Sequence, residues 1–490
     1  MSDFAALNTA LTGLLAHRRA MEVIGHNVTN AATEGYSRRR ADLQSAGAGV
    51  VPGVFSRYDR AGGGVEVAGI VRIRDEFLEA RMLREHGTDQ MLTARSEILD
   101  RIEMSFPEPS ETGIARQLAE MWAAWDDVAN QPASLSTRVA LTERSVTVAQ
   151  ELNRAASELD IAHANAVSRV DALVSEVNAN AARVAELNDK IQDATAAGLD
   201  PHDLSDQRDQ LIERLAELAG VSTRQGDLGS MDVFLGGSAL VRGDRAETLE
   251  VQQGAGTDPP TLTDPPLFQT TGIIWSKDGY DASVSGGEIA GLLHGLNTTI
   301  PTYLDQLDGV ARKLAERVNG LHTSGYDLNG DLGVDVFTDD AGSAVLADIS
   351  ARNIRVSDQI TGQPERIAAS TTYAFDPADP TTPTGGDLGA GIAQQMATVG
   401  DGDDSPDAVY EELVGALGVE AQALQRRSLI QDEVTRQVDE SRESVRGVSI
   451  DEEMVSLVQS QRAYEASARL MTAVDEMIDT LVNRTGLVGR

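Results

Sequence analysis

The sequence predicts a mainly α-helical fold with a β-rich insertion, organised as a terminal α-helical coiled-coil domain, a helical middle domain and a small β domain. Three observations predict it. Apolar residues recur at three- and four-residue steps at both ends of the chain, the mark of helices that bury one stripe. An alternating run broken by two adjacent glycines interrupts the helical pattern near the middle, as a hairpin would. The 490 residues also exceed the roughly 250 to 300 at which one hydrophobic core stops growing, so the apolar surface must be shared among several packed units.

The first helix is read from Phe4, Leu7, Leu11, Leu14, Met21 and Val28, with Arg18 and Gly25 intruding in the repeat. It ends in NVTNAATEGYSRRR, where Gly35 can adopt the left-handed conformation that closes a helix or turn. Residues 36–75 read as loop and strand. Residues 75–197 are mostly helical, interrupted by Pro107 and Pro109, with an apolar stripe through Val167, Val170, Val174, Val177, Ala181, Val184 and Ile191. A turn at Gly198–Pro201 precedes a helix from Leu204 to Leu218. Met231–Val241 alternates around Gly236 and Gly237 and reads as a hairpin, so residues 221–287 form a β-rich insertion, loosened by the Pro-rich run Asp258–Pro266. Helix returns over Glu288–His322. Residues 325–404 carry short strands and a Thr/Pro/Gly/Asp-rich stretch, Asp376–Gly389, read as a mobile loop.

From Asp407 a long helical region leads into a seam at Ile450, Met454, Leu457, Gln461, Tyr464, Ala468, Met471, Asp475, Ile478 and Val482. At about 1.5 Å per residue this seam is roughly 50 Å long, more than one small domain needs, and it calls for a long partner. The domains expected are 1–60 with 440–490; 61–220 with 288–330 and 405–439; 221–287; and 331–404.

Charge narrows the partners. Seventy-seven acids against 41 bases give a net charge of −36, which repels phosphate backbones and anionic headgroups, so neither nucleic acid nor membrane is expected as a partner. No cysteine is present, which excludes disulfides and thiolate chemistry, and no cleavable secretion signal or run of about 18 apolar residues is visible. The ends differ in sign: residues 1–60 hold seven Arg against five acids, and residues 401–453 hold fifteen acids against five Arg. Arg38, Arg39 and Arg40 after the first helix should attract Asp451, Glu452 and Glu453 at the start of the last, where acids also favour the helix dipole.

No catalytic, cofactor-binding or metal-ligating set is expected. None of the seven histidines forms an i, i+4 pair. His202 with Asp203, Asp206 and Asp209 is the nearest to a ligand cluster and reads as a capped, solvated helix start. Asp327, Asn329 and Asp331 mimic the opening of a calcium loop, but Leu332 holds the glycine position. The glycines at 47–53 and 62–64 read as turns. Arg242-Gly243-Asp244 reads as a hairpin-end turn and Trp122 with Trp125 as core.

Residues 7–40, LNTALTGLLAHRRAMEVIGHNVTNAATEGYSRRR, and 445–484, VRGVSIDEEMVSLVQSQRAYEASARLMTAVDEMIDTLVNR, resemble the paired terminal signatures of the bacterial flagellar rod and hook axial proteins. The Asp-Glu-Glu-Met opening, Gln461, Ala463-Tyr464 and Ser37-Arg38, with DLSDQRDQL at 203–211 and VNGLHTSGYDLNGDLG at 318–333, are closest to the subunits at the hook–filament junction. The resemblance implies a secreted, non-enzymatic subunit without cofactors, exported unfolded through the flagellar type III apparatus and polymerised at the hook–filament junction. It implies an inner coiled-coil domain, a surrounding helical domain and a small outer β domain.

By that resemblance Leu7, Leu11, Leu14, Met21 and Ile24 on the first helix carry subunit contacts. So do Ile450, Met454, Leu457, Gln461, Tyr464, Ala468, Met471 and Ile478 on the last, with Asn27, Asn30, Gly35, Tyr36 and Arg38 in the motif loop between. Expected partners are copies of the chain, hook protein, a second junction protein and the flagellin side of the filament, and an export chaperone on the C-terminal helix. Glu34 departs from the family's usual proline. Gln461 and Asp475 within the seam would fix register at a cost in stability. The open alternatives are a hook or distal rod subunit, an axial protein with a cell-wall hydrolase module in 221–404, and an adhesin acting through Arg242–Asp244.

Overall fold

The computed structural model describes residues 2–33, 35–46, 63–254, 268–372, 375–376, 379–383 and 389–480. Glu34, the glycines at 47–53, Gly62, the run Asp258–Pro266 and Val482 lie outside the described residues, as does half of Asp376–Gly389. Helices dominate: α1 (Ser2–Thr29), α2 (Glu76–Ser105), α3 (Ile114–Asn130), α4 (Leu135–Ala196), α5 (His202–Ala219), α6 (Gly287–His294), α7 (Ile300–His322), α8 (Gly391–Ala397), α9 (Pro406–Arg446) and α10 (Ile450–Asp479). The chain divides into two compact units, the first made of Met1–Gly87, Val177–Thr248 and Asp432–Arg490, the second of Thr88–Glu176 and Leu249–Gln431.

In the first unit α1 lies along α10. The chain leaving α1 forms an antiparallel pair, β1 (Arg39–Ser45) with β2 (Val65–Arg72). The end of α4 and α5 carry a four-stranded antiparallel sheet in the order β3 (Ser222–Gln225), β4 (Met231–Leu235), β5 (Ser238–Arg242), β6 (Arg245–Ala246). The β4–β5 turn is Gly236-Gly237 at φ of 55° and 84°, a conformation that costs a side-chain-bearing residue, which is why this pair marks the hairpin in the sequence.

The second unit buries the apolar faces of α3, the first part of α4 and α7, with Leu118, Met121, Trp125, Leu152, Leu304 and Leu307 at 0–1% exposure. Helix α6 approaches α2 closely through glycine: a Cβ on Gly291 would lie 2.5 Å from the Met91 carbonyl oxygen, and one on Gly295 would lie 2.0 Å from Ile98. Trp122 and Trp125 are both core, as expected, and Trp122 donates its indole N–H to Asp407 at 2.8 Å.

The strands of 221–287 differ from the single insertion the sequence suggests. They form two separate sheets, β3–β6 in the first unit and β7 (Leu249–Gln253) with β8 (Thr271–Trp275) in the second. Each is tied to its own helical frame by one asparagine. Asn188 on α4 donates to the carbonyls of Met231 (2.9 Å) and Gly243 (2.8 Å) and accepts from the Met231 N–H. Asn297, in the π-helical turn Gly295–Thr299 before α7, exchanges both hydrogen bonds with the Thr271 backbone. A strand pattern in the sequence shows alternation but not which frame supplies such anchors.

Candidate functional site

The ends of the chain make the site. Ser449 caps α10, its hydroxyl accepting from the Glu452 N–H, and Asp451, Glu452 and Glu453 fill the first turn, where their charge meets the positive end of the helix dipole. After α1, Gly35 turns at φ 75°, and a Cβ there would lie 2.1 Å from the Gln210 amide, so both conformation and space require glycine.

Two contacts fix how α1 and α10 align. A Cβ on Gly13 would lie 2.8 Å from the Ser467 hydroxyl, and Asn27 donates to Glu453 at 3.0 Å. Gly13 and Asn27 are 14 residues apart, as are Glu453 and Ser467, so the helices run antiparallel with a register constant over two heptads. The same register sets Ala20 opposite Ser460 and Ala6 opposite Val474. The central line of α10 is therefore Glu453, Ser460, Ser467 and Val474, small or polar except for Val474, which is 1% exposed.

That line falls one position before the apolar series read from the sequence. Of that series Leu457, Tyr464, Ala468, Met471 and Ile478 are half-buried beside the contact, while Ile450, Met454, Gln461 and Asp475 are exposed. On α1 Ile24 is buried, Leu7, Leu14 and Met21 are half-buried, and Leu11 is exposed. The outer side of the pair accordingly keeps Leu11, Leu15, Ile450, Met454, Val455 and Val458 at 42–58% exposure. Small residues allow the backbones to come close, so the apolar periodicity marks the flanks of the contact rather than its centre.

At the Glu453 end the contact is polar and satisfied. Asn27, 1% exposed, donates to Glu453 and to the Arg39 carbonyl (2.8 Å) and accepts from the Arg39 N–H (3.0 Å) and the Tyr36 hydroxyl (2.8 Å), which uses its whole hydrogen-bonding capacity. Glu453 takes Arg38 on its other oxygen at 2.7 Å, and Arg38 also reaches Glu452 at 2.8 Å. Burial pushes the Tyr36 phenol up to about 12 against the opposing pull of Arg39, so it remains a hydrogen-bond donor. Asn30 donates back to the His26 carbonyl at 2.9 Å and closes the last turn of α1.

Behind this lies an ion-pair relay that the sequence reading missed. Arg39 pairs with Asp203 and with Asp206 (3.0 Å); Arg72 bridges Asp206 (2.9 Å) and Asp209 (2.7 Å). Arg74 joins Asp209 and Glu79 (2.9 Å), and Arg442, nearly buried, joins Glu79 (3.1 Å) and Glu213 (3.0 Å). Burial acts to raise the Asp209 carboxyl, but Arg74, Arg72 and Arg208 overcome it and hold Asp209 below the usual carboxylate range. The acids at 203, 206 and 209 thus bind arginines, and no group of metal-ligating side chains occurs among the described residues. Their signal was present: three acids at i, i+3 and i+6 share a helix face, and Arg72 and Arg74, two apart, share one side of an extended segment.

The attraction expected between the termini is realised through Arg38 with Glu452 and Glu453, while Arg39 turns to α5 instead and Arg40 stays exposed. The calcium-like loop caps itself, Asp327 accepting from the N–H groups of Asn329 (2.8 Å) and Asp331 (2.9 Å). Arg242-Gly243-Asp244 is the β5–β6 turn, with the Gly243 N–H donated to Asp232 at 2.9 Å.

Comparison with known proteins fits this geometry. The helical-domain model of the flagellar hook-associated protein FlgK matches residues 99–337, and the C-terminal model of the flagellar basal body rod proteins matches residues 444–484, which contain α10. Flagellar hook-associated protein 1 of Bacillus subtilis is 27% identical over the full length of both chains. Along its whole length the chain is similar to flagellar hook-associated protein 1.

The Escherichia coli hook-associated protein 1 is 25% identical over 97% of this chain and 99% of its own. The structure of the flagellar hook junction protein FlgK from Burkholderia pseudomallei superposes with a TM-score of 0.60 at 15% identity, covering 75% of this chain and all of that one, a likeness of fold. Hook-associated protein 1 relatives thus extend through both terminal helices as well as the helical domain between them.

Proposed function

We propose that the antiparallel α1–α10 pair is the element through which copies of this chain polymerise, and that the polymer so formed couples hook to filament. The chain is a structural subunit of the bacterial flagellum at the hook–filament junction. The observation that carries the polymerisation reading is the outward apolar strip of Leu11, Leu15, Ile450, Met454, Val455 and Val458, on helices whose mutual contact is already filled by small and polar residues. Several large apolar side chains left exposed on one helix pair are characteristic of association sites.

The subunit assembles into the flagellum as an exported component. Hook protein on one side, and a second junction protein and flagellin on the other, are the neighbours this reading assigns; an export chaperone would cover the apolar side of α10 before assembly. Export of an unfolded chain through the type III apparatus suits terminal helices that gain partners only in the lattice. The role is structural rather than enzymatic, in keeping with carboxylates at 203, 206 and 209 that are committed to arginines.

Electron microscopy of a deletion strain, scoring rods, hooks and filaments separately, tests the assignment. Hooks without filaments are expected. Loss of hooks would move the chain to the hook or rod, and normal filaments would remove it from the axis.

A further inference from the structure

A second feature of the first unit lies outside the α1–α10 contact: a cleft of about 760 Å3 among the starts of α2 and α5, the end of α4, and β3. Two independent observations point to an occupant. First, β3 is the outermost strand of its sheet, and Thr223, Arg224 and Gln225 line the cleft, a space large enough for a peptide. Second, the polar wall is unevenly matched. Glu79 and Asp209 are neutralised by Arg74, Arg442 and Arg72. Arg224, with its side chain 68% exposed, has a loose contact at 3.5 Å to Asp232 and lies 5.0 Å over the Phe234 ring, and Arg72 engages its acids through one terminal nitrogen. His202 has a buried ring Nε2 with no partner. The remaining wall is mixed, with Met82, Ile212 and Met231 beside Glu76, Thr195 and Ser205.

We propose that this cleft docks an extended acidic segment of a partner chain, which adds to the free edge of β3 as a further strand. Its carboxylates then meet Arg224, with Arg72 behind it, on one face, and its alternate apolar side chains meet the Met231 side of the cleft on the other. The period of two along a strand supplies both sets from one short sequence, and main-chain pairing to an edge strand is an established mode of peptide capture. A simple inorganic anion would leave the apolar wall and the strand edge unused.

The test uses the full chain and fluorescence anisotropy with a labelled peptide of about seven residues alternating Glu and Val, long enough to pair along β3. Saturable binding is expected, with affinity about tenfold weaker or worse for a Lys/Val peptide of the same pattern and for the Arg224→Glu chain, because close opposite charges set specificity. Methylating alternate peptide nitrogens should abolish it, and hydrogen exchange of the unsubstituted chain should show protection at residues 222–225 when the peptide is bound. Equal binding of the Lys/Val or methylated peptide, full competition by citrate at matched concentration, or no protection at 222–225 would each overturn the proposal.

Discussion

The interior of the second unit and the contact between the terminal helices solve the same problem in opposite ways. In the second unit, helices meet through large apolar side chains; Trp125, Leu118 and Leu304 are almost wholly buried. Between α1 and α10, Gly13 meets Ser467 and Asn27 meets Glu453, and several large apolar side chains face outward. The first arrangement makes a self-sufficient core. The second fixes register with polar groups and leaves its hydrophobic surface for something else, the arrangement expected of a subunit whose ends are completed by assembly.

The largest expected effect lies in the apolar core. Trp125→Ala should destabilise the second unit by about 3 to 5 kcal/mol, read by chemical denaturation, as large core truncations do. A smaller loss, at the level of a surface substitution, would mean that this core is not close-packed. Next comes the polar contact: Glu453→Ala takes one of two acceptors from each of Asn27 and Arg38 and should cost the first unit about 2 to 4 kcal/mol. Glu453→Gln should cost less, because one carbonyl acceptor survives; equal costs for the two would show that hydrogen bonding at this position is immaterial.

The two units should also respond to pH with opposite sign. In the second, His322 is wholly buried, donating from Nδ1 to the Val334 carbonyl and accepting at Nε2 from the Ala368 N–H at 2.7 Å. Burial pushes it down to about 4. The unfolded chain therefore takes up the proton first, and stability present above about 6.5 is lost as pH falls toward 4, by at most about 3 kcal/mol. In the first, hydrogen bonds donated to Asp439 and Glu217 raise His86 to about 10 against burial. Its contribution is present below about 6.5 and is lost as pH rises through 10. Hydrogen exchange of each unit between pH 4.5 and pH 9.5 reads both. Protection in the second unit that does not fall with acid would contradict the His322 account.

The smallest effect on folding belongs to the outer strip. Met454→Ser should change stability by less than about 0.5 kcal/mol, since the side chain is half exposed, while weakening assembly. Because the chain has no cysteine, Ala20→Cys with Ser460→Cys offers a clean check on the register: an intrachain disulfide should form on oxidation, whereas Ala20→Cys with Met454→Cys should not.

Much of the fold was legible because the signals are local. Helical periodicity marks α1, α4, α7 and α10; Gly236-Gly237 marks the hairpin; and Gly35 marks the turn after α1. What the sequence concealed is long-range. Asn188 and Asn297 assign neighbouring strands to different units, and nothing local to residues 221–287 reveals that division. The arginine relay joins positions 39, 72, 74 and 442 to acids at 79, 203, 206, 209 and 213, so the spacing 203/206/209 reads as solvated until its partners arrive from elsewhere in the chain. The centre of the α1–α10 contact was hidden for a different reason. Periodicity follows the largest apolar residues, and this contact is built on the smallest.

The most direct test replaces Met454, Val455 and Val458 together with serine and measures the folded state and junction assembly side by side. The account predicts an unfolding transition close to that of the parent chain together with cells that build hooks but cannot retain filaments. Normal filaments on such cells, or a first unit that unfolds when these three side chains are removed, would contradict it.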